Sequence, residues 1–156
     1  MAKPIPEGYH SVTPYLIVKG AARALEFYTK AFNAQELYRL EGPGGSIGHA
    51  EFQIGNSRVM IADEFPDMNA RSPEALGGSP VGLCIYTEDV DALFKQALAA
   101  GAKQERPVVD QFYGDRSGTV VDPFGHKWTI ATHKEDLSPE EMNRRMAEMM
   151  KQQGGK

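Results

Sequence analysis

The chain has 156 residues, with 17 Lys and Arg against 21 Asp and Glu (formal charge −4), 41% hydrophobic residues and one cysteine, Cys84. This is the make-up of an ordinary folded domain with a real core, and it excludes disorder, collagen, an intrachain disulfide and a Cys-rich zinc site. The acidic balance has no basic run to meet nucleic acid or an anionic membrane, no apolar stretch reaches the roughly 18 residues of a membrane span, and Met1-Ala2-Lys3-Pro4 opens no signal-peptide core, so a cytoplasmic location is expected.

Taken in chain order, Tyr15 to Val18 is a short apolar run with strand character. Ala21, Ala24, Leu25, Tyr28, Ala31 and Phe32 then recur at helical spacing as far as Asn33, a residue that tolerates the left-handed conformation ending a helix. Gln35 to Leu40, Gly48 to Ile54 and Arg58 to Ala62 follow as strand candidates, separated by Gly42-Pro43-Gly44-Gly45 and Gly55-Asn56-Ser57 turns. Asp63 to Gly78 has little periodicity and reads as a connection. Val81 to Tyr86 is again a short apolar run, and Asp89 is placed to cap a helix striped by Val90, Leu93, Phe94, Ala97 and Leu98 and ending at Gly101. Lys103 to Val109, Arg116 to Val121 and Lys127 to Thr132 complete a second set of strands. At an offset of 68, Ala24-Leu25 repeats as Ala92-Leu93 and Asn33-Ala34 as Gly101-Ala102, so the chain reads as two copies of a strand, helix, three-strand unit.

Ser138-Pro139-Glu140-Glu141 is a helix start, with a cap residue and Pro at the first helical position. Met142, Met146, Met149 and Met150 then fall on one stripe. Burying all four contributes up to about 6 to 12 kcal/mol at roughly 1.5 to 3 per side chain, so the stripe is expected to pack either on the body of its own chain or on a second subunit.

The paired units, together with Thr13-Pro14-Tyr15-Leu16-Ile17-Val18, Glu88-Asp89-Val90-Asp91-Ala92-Leu93, Ala99-Ala100-Gly101-Ala102 and Asp122-Pro123-Phe124-Gly125-His126-Lys127-Trp128, resemble the vicinal oxygen chelate superfamily. That superfamily includes glyoxalase I, extradiol dioxygenases and the fosfomycin and bleomycin resistance proteins. Gly48-His49-Ala50-Glu51-Phe52, Met60 to Pro66 and Gly114-Asp115-Arg116 are similar to its PhnB-like branch. The resemblance implies an α+β fold: two βαβββ modules forming a curved mixed sheet around a cavity, plus a C-terminal helix. Module one then spans about 10–66, the linker 67–78, module two about 79–133 and the helix about 138–152. It also implies a homodimer.

In the metal-dependent members, ligands stand on the first strand of each unit and on the last strands. Carried onto this sequence, those positions are Thr13, Gly82 and Thr129, with Met60 or Ala62 on the fourth strand and Asp63 reachable only by a one-residue slip. Thr and Gly supply no imidazole, thiolate or carboxylate, and a divalent catalytic metal needs at least three such donors. No metal and no cofactor are therefore expected.

Two sets of residues remain as candidates. Alternation along the strand sends Ala50, Phe52 and Ile54 toward the helices and His49, Glu51 and Gln53 to the other side, where His49 beside Glu51 is suited to general base work or to a solvated edge. Around Asp110 to Arg116, Arg116 offers a planar fork for an anionic or carbonyl-bearing ligand, with Phe112 and Tyr113 as stacking walls; the alternative is a surface ion pair of Asp115 and Arg116. Thr13, Gly82 and Thr129 are expected to line the cavity. Cys84 reads as a buried, inert thiol, Trp128 as core, and His126 as a turn residue. The function expected is capture of a small molecule in a metal-free cavity; the alternative is an enzyme that uses His49 and Glu51 or a metal with atypical ligands.

Overall fold

The computed structural model describes residues 1–154. Module one runs β1 (Tyr15–Val18), α1 (Ala21–Phe32), β2 (Gln35–Glu41), β3 (Ile47–Ile54) and β4 (Ser57–Asp63). A connection with a one-turn helix α2 (Pro73–Leu76) leads to module two: β5 (Gly82–Tyr86), α3 (Val90–Ala100), β6 (Lys103–Asp110), β7 (Asp115–Val121) and β8 (Lys127–His133). Helix α4 (Pro139–Gly154) closes the described chain. The mixed sheet divides into two four-stranded sheets, one per module, ordered β1-β4-β3-β2 and β5-β8-β7-β6. In each the first strand lies parallel to the last and the other pairs are antiparallel. Every strand and long helix read from the sequence is present, with ends displaced by a residue or two where hydrogen bonding outruns the apolar pattern.

The helices begin and end where their caps place them. Asp89 accepts the backbone N–H of Ala92 at the start of α3. Helix α1 starts at Gly20, which has no side chain to cap with, and Asp63 at the end of β4 does so instead, accepting from the N–H groups of Gly20 (2.9 Å) and Ala21 (2.8 Å). Its other oxygen accepts from Ile47 N–H (2.8 Å), so the carboxylate that a slip would have offered to a metal serves the backbone.

The two modules share one core on the helix side of their sheets. Tyr28 and Phe32 of α1 pack against Trp128 of β8, and Phe27 against Phe124. Within this apolar contact Asp122 is buried, accepting from Tyr28 Oη (2.6 Å), Trp128 Nε1 (2.9 Å) and the N–H groups of Phe124 and His126. A buried carboxylate is tolerable only with its lone pairs filled, and donors from both modules fill them here. Trp128 is core, as its alternation predicts, while His126 is half-buried rather than an idle turn residue, its Nε2 bonded to the carbonyl of Ile17 in module one at 3.1 Å. Among the described residues no helix is long and apolar enough to cross a membrane.

Helix α4 is capped by Ser138, whose Oγ accepts from Glu141 N–H. None of its residues is buried. Of the methionine stripe, Met142 is half-buried and Met146, Met149 and Met150 are exposed, so the body of the chain does not cover it.

Candidate functional site

The helix-free face of the module-one sheet carries the residues that alternation assigned to it. Leu16 and Val18 of β1, Ala50 and Phe52 of β3 and Val59 and Ile61 of β4 point into the core, leaving Tyr15, His49, Glu51 and Met60 on the opposite side. Strand register then sets β2 beside them, with Tyr38 paired to Glu51 and Leu40 to His49. The result is a continuous hydrogen-bonded chain: Tyr15 Oη to His49 Nδ1 at 2.7 Å, His49 Nε2 to Glu51 Oε2 at 2.6 Å, and Tyr38 Oη to Glu51 Oε2 at 2.5 Å.

Donor and acceptor counting orders this chain. An ionised Glu51 only accepts, so the Tyr38 hydroxyl and the His49 Nε2–H both donate to it. His49 Nδ1 is then an acceptor and takes the Tyr15 hydroxyl proton. Glu51 is buried, which holds its carboxyl above the ordinary value, with the positive charge of Arg58 pulling the other way. Tyr15 is likewise raised, by burial and by Tyr38, and stays a phenol. Its hydroxyl proton is given inward to His49, so its oxygen lone pairs are left for the outer side.

Tyr15 also lines a cavity of about 670 Å3 at one end of this face, walled by Ile47, Ala62, Phe65, Met68 and Ala70. Phe65 and Met68 are exposed at its rim. Ser46, Asp63 and Glu64 line it as well; Asp63 is engaged by backbone N–H groups and Glu64 by Ser72, which leaves the Tyr15 hydroxyl as the polar group oriented by the relay. A concave, largely apolar space with a few placed polar groups is the usual form of a small-molecule site.

Module two carries a second polar cluster, which the sequence reading did not find. Asp115 is buried and accepts from Tyr86 Oη (2.9 Å) and from His133 Nδ1 (2.7 Å), whose Nε2 reaches Asp136 at 2.8 Å. The bond to Asp115, aided by burial, pushes the Tyr86 hydroxyl up to about 12, and Asp115 and then Asp136 raise the His133 imidazole. Asp115 and Arg116 do not pair with each other, because adjacent strand residues point to opposite faces. Sequence alone leaves His133 without a partner, since the residues it meets lie 18 positions back and 3 ahead on separate elements.

The remaining candidates are not brought together. Arg116 points to the helix side, where its fork is filled by Asp91 (two bonds of 2.9 Å) and by Asp110 (3.3 Å). Arg116 also borders a surface hollow with Gln111, Gly114 and Lys134, and its guanidinium there is already met by two exposed aspartates. Phe112 and Tyr113 meet edge to face, centroids 5.2 Å apart, in the turn between β6 and β7, and Tyr113 Oη lies 3.4 Å from Ser117 Oγ. The turn is crossed closely by the chain entering α4: Gly114 has φ +99°, and a Cβ there would stand 2.6 Å from the carbonyl oxygen of Glu135.

Thr13 lines a separate cavity of about 410 Å3 between the modules. Gly82 begins β5, and the Thr129 hydroxyl is engaged by Thr119 at 3.1 Å. Cys84 is exposed rather than buried as expected, on the same face as Thr129; partial burial and Asp115 push its thiol up, away from thiolate chemistry. The positions carried over from metal-dependent members thus present Thr13, Gly82, Thr129 and Met60 or Ala62, and the carboxylate reachable by a one-residue slip, Asp63, is committed to backbone N–H groups. Among the described residues no group of three or more His, Cys, Asp or Glu is arranged to hold a metal ion. These residues do not fit the superfamily's usual metal.

Residues 8–130 match the family described as the Glyoxalase/Bleomycin resistance protein/Dioxygenase superfamily. The chain belongs to this superfamily. Among its relatives is the "Uncharacterized protein Mb0911c" of Mycobacterium bovis, 41% identical over 140 residues, covering 88% of this chain and 92% of the relative. Among solved structures, TioX from Micromonospora sp. ML1 superposes with a TM-score of 0.63 at 25% identity, over 83% of this chain and all (100%) of TioX. The PhnB protein of Bacillus cereus shares the fold with a TM-score of 0.62 at 20% identity, over 79% of this chain and 99% of its own. The superfamily's paired βαβββ architecture is therefore that of this chain, and the chemistry rests on the residues described above.

Proposed function

We propose that this superfamily member is a cytoplasmic small-molecule-binding protein whose ligand occupies the Tyr15 cavity of module one without a metal at the superfamily's usual positions. The observation that carries this reading is the relay ending at Tyr15. His49, Glu51 and Tyr38 fix the phenol so that it meets the cavity as an oriented acceptor, beside apolar walls that take the body of the ligand. The ligand class that fits is an apolar molecule bearing an N–H or O–H donor. The protein acts as a homodimer, the second copy covering the methionine face of α4 that its own chain leaves bare.

A second reading is favoured by the 2.6 Å contact of His49 with Glu51: a metal-free enzyme in which this pair moves a proton through the Tyr15 hydroxyl. It demands more of the same residues, since His49 Nδ1 is reached only through a phenol held in its neutral form.

Nile red, a neutral apolar dye without an N–H or O–H donor, tests the apolar walls of the cavity. Saturable fluorescence enhancement is expected, with affinity weakened roughly tenfold or more in Ala70→Trp, where an indole fills the cavity. Equal binding by a folded A70W protein overturns the assignment. The Tyr15 acceptor is tested by 2-naphthol, an apolar molecule with one O–H donor: its binding is expected to weaken in Tyr15→Phe while that of Nile red does not, and equal binding of 2-naphthol by Y15F overturns the role of the phenol. Turnover of the methylglyoxal and glutathione adduct with added zinc or nickel is expected to be absent, and robust turnover would overturn the metal-free reading.

A further inference from the structure

The cavity between the modules holds a cation that makes no direct ion pair. Arg58, on the helix-free face of β4, is half-buried and joins none of the ion pairs among the described residues. Its Nε is buried with no hydrogen-bond partner. Glu51 is the carboxylate on the same sheet face, and its oxygens are taken up by His49 and Tyr38. Withdrawing a guanidinium from water without an acceptor is unfavourable, and such a group is normally paired.

The guanidinium is also held in place. Its carbon lies 4.9 Å from the centroid of the Tyr9 ring, a cation–π contact. Gly8, at φ +84°, crosses so closely that a Cβ there would stand 2.6 Å from the guanidinium carbon. The N-terminal segment thus clamps the arginine in one orientation, which removes much of the entropy lost when such a side chain grips a ligand.

Arg58, Ser57 and Thr13 line one part of the cavity of about 410 Å3, and Leu83, Ile85 and Trp128 of module two line another. A fixed cation, nearby hydroxyls and an apolar wall select one kind of molecule. We propose that this cavity binds a small organic carboxylate, its two oxygens met by the Arg58 fork and its apolar body lying against Leu83, Ile85 and Trp128. A carboxylate matches the planar fork in shape as well as charge. The site is distinct from the Tyr15 cavity and goes beyond the reading given for it.

Phenylacetate and its neutral counterpart phenylacetamide, titrated by calorimetry and followed by fluorescence of Trp128, the single tryptophan of the chain, test the proposal. Saturable phenylacetate binding is expected, at least roughly tenfold tighter than that of the amide and weakened at least roughly tenfold in Arg58→Gln, since hydrogen bonds to a charged partner are lost. No saturable binding of phenylacetate, equal binding of the amide, or undiminished binding by folded R58Q overturns it. The two-probe comparison on the native protein stands even if R58Q does not fold. Nile red binding is expected to be unchanged in R58Q, which separates this site from the module-one cavity.

Discussion

Glu51 sits among Tyr38, His49 and the strands that carry them, and its position has a measurable pH signature. Burial raises its native carboxyl above the ordinary value, so across the interval from about pH 4.5 upward the native state binds the proton that the unfolded chain has released. Stability from this residue is therefore greatest in acid and declines as pH rises through the native value, the reverse of a salt-bridged carboxylate. Glu51→Gln removes the titration. The stability of the native protein minus that of E51Q, from urea midpoints between pH 4 and 7, is expected to fall with pH; a flat or rising difference sinks the assignment. At the same scale, the side of β3 on which His49 and Glu51 lie was legible, because strand alternation needs only the order of apolar and polar residues. Tyr15 and Tyr38 as their partners were not. They lie 34 and 13 positions away from the groups they meet, and the register of β2 is shifted by an irregularity between Glu36 and Tyr38 that no local pattern announces.

At the scale of elements, caps and periodicity placed nearly every strand and helix, because those signals are local. What each element covers depends on tertiary structure. Arg116 and Arg58 are both arginines on strands next to polar neighbours; one is matched by two aspartates from other elements and the other by none, and only the assembled fold distinguishes them. Helix α4 shows the same limit. Its methionine stripe was evident, but not that the chain leaves it uncovered. Docking of this stripe on a second copy predicts that Met146→Glu with Met149→Glu lowers the sedimenting mass from twice 17.2 kDa to 17.2 kDa at micromolar concentration. The thermal midpoint of each subunit is expected to stay within a few degrees, because the substituted side chains are exposed within the chain. A native protein already monomeric at that concentration removes the role given to the stripe.

Across the whole molecule, the two modules are joined through Tyr28, Trp128 and Asp122, a buried carboxylate with donors from both halves. Tyr28→Phe leaves the packing intact and removes one charge-assisted bond, for an expected loss of about 1.5 to 3 kcal/mol in urea unfolding at pH 7. The unfolding curve is expected to keep a single transition when followed by Trp128 fluorescence and by far-ultraviolet circular dichroism, since neither half has a core of its own to retain. Two separate transitions would show that the halves fold independently. The superfamily architecture was legible in the repeat at this scale because duplication leaves matched caps and helix ends in the sequence.

Tyr28 and Phe52 lie behind the strands of module one, whereas the relay of Tyr15, His49 and Glu51 lies in front of them. Structural support and chemical character are thereby assigned to opposite surfaces of the same β-layers. Side chains on the front surface are therefore replaceable without loosening the hub that unites the halves, so the binding chemistry of this scaffold is separable from its stability.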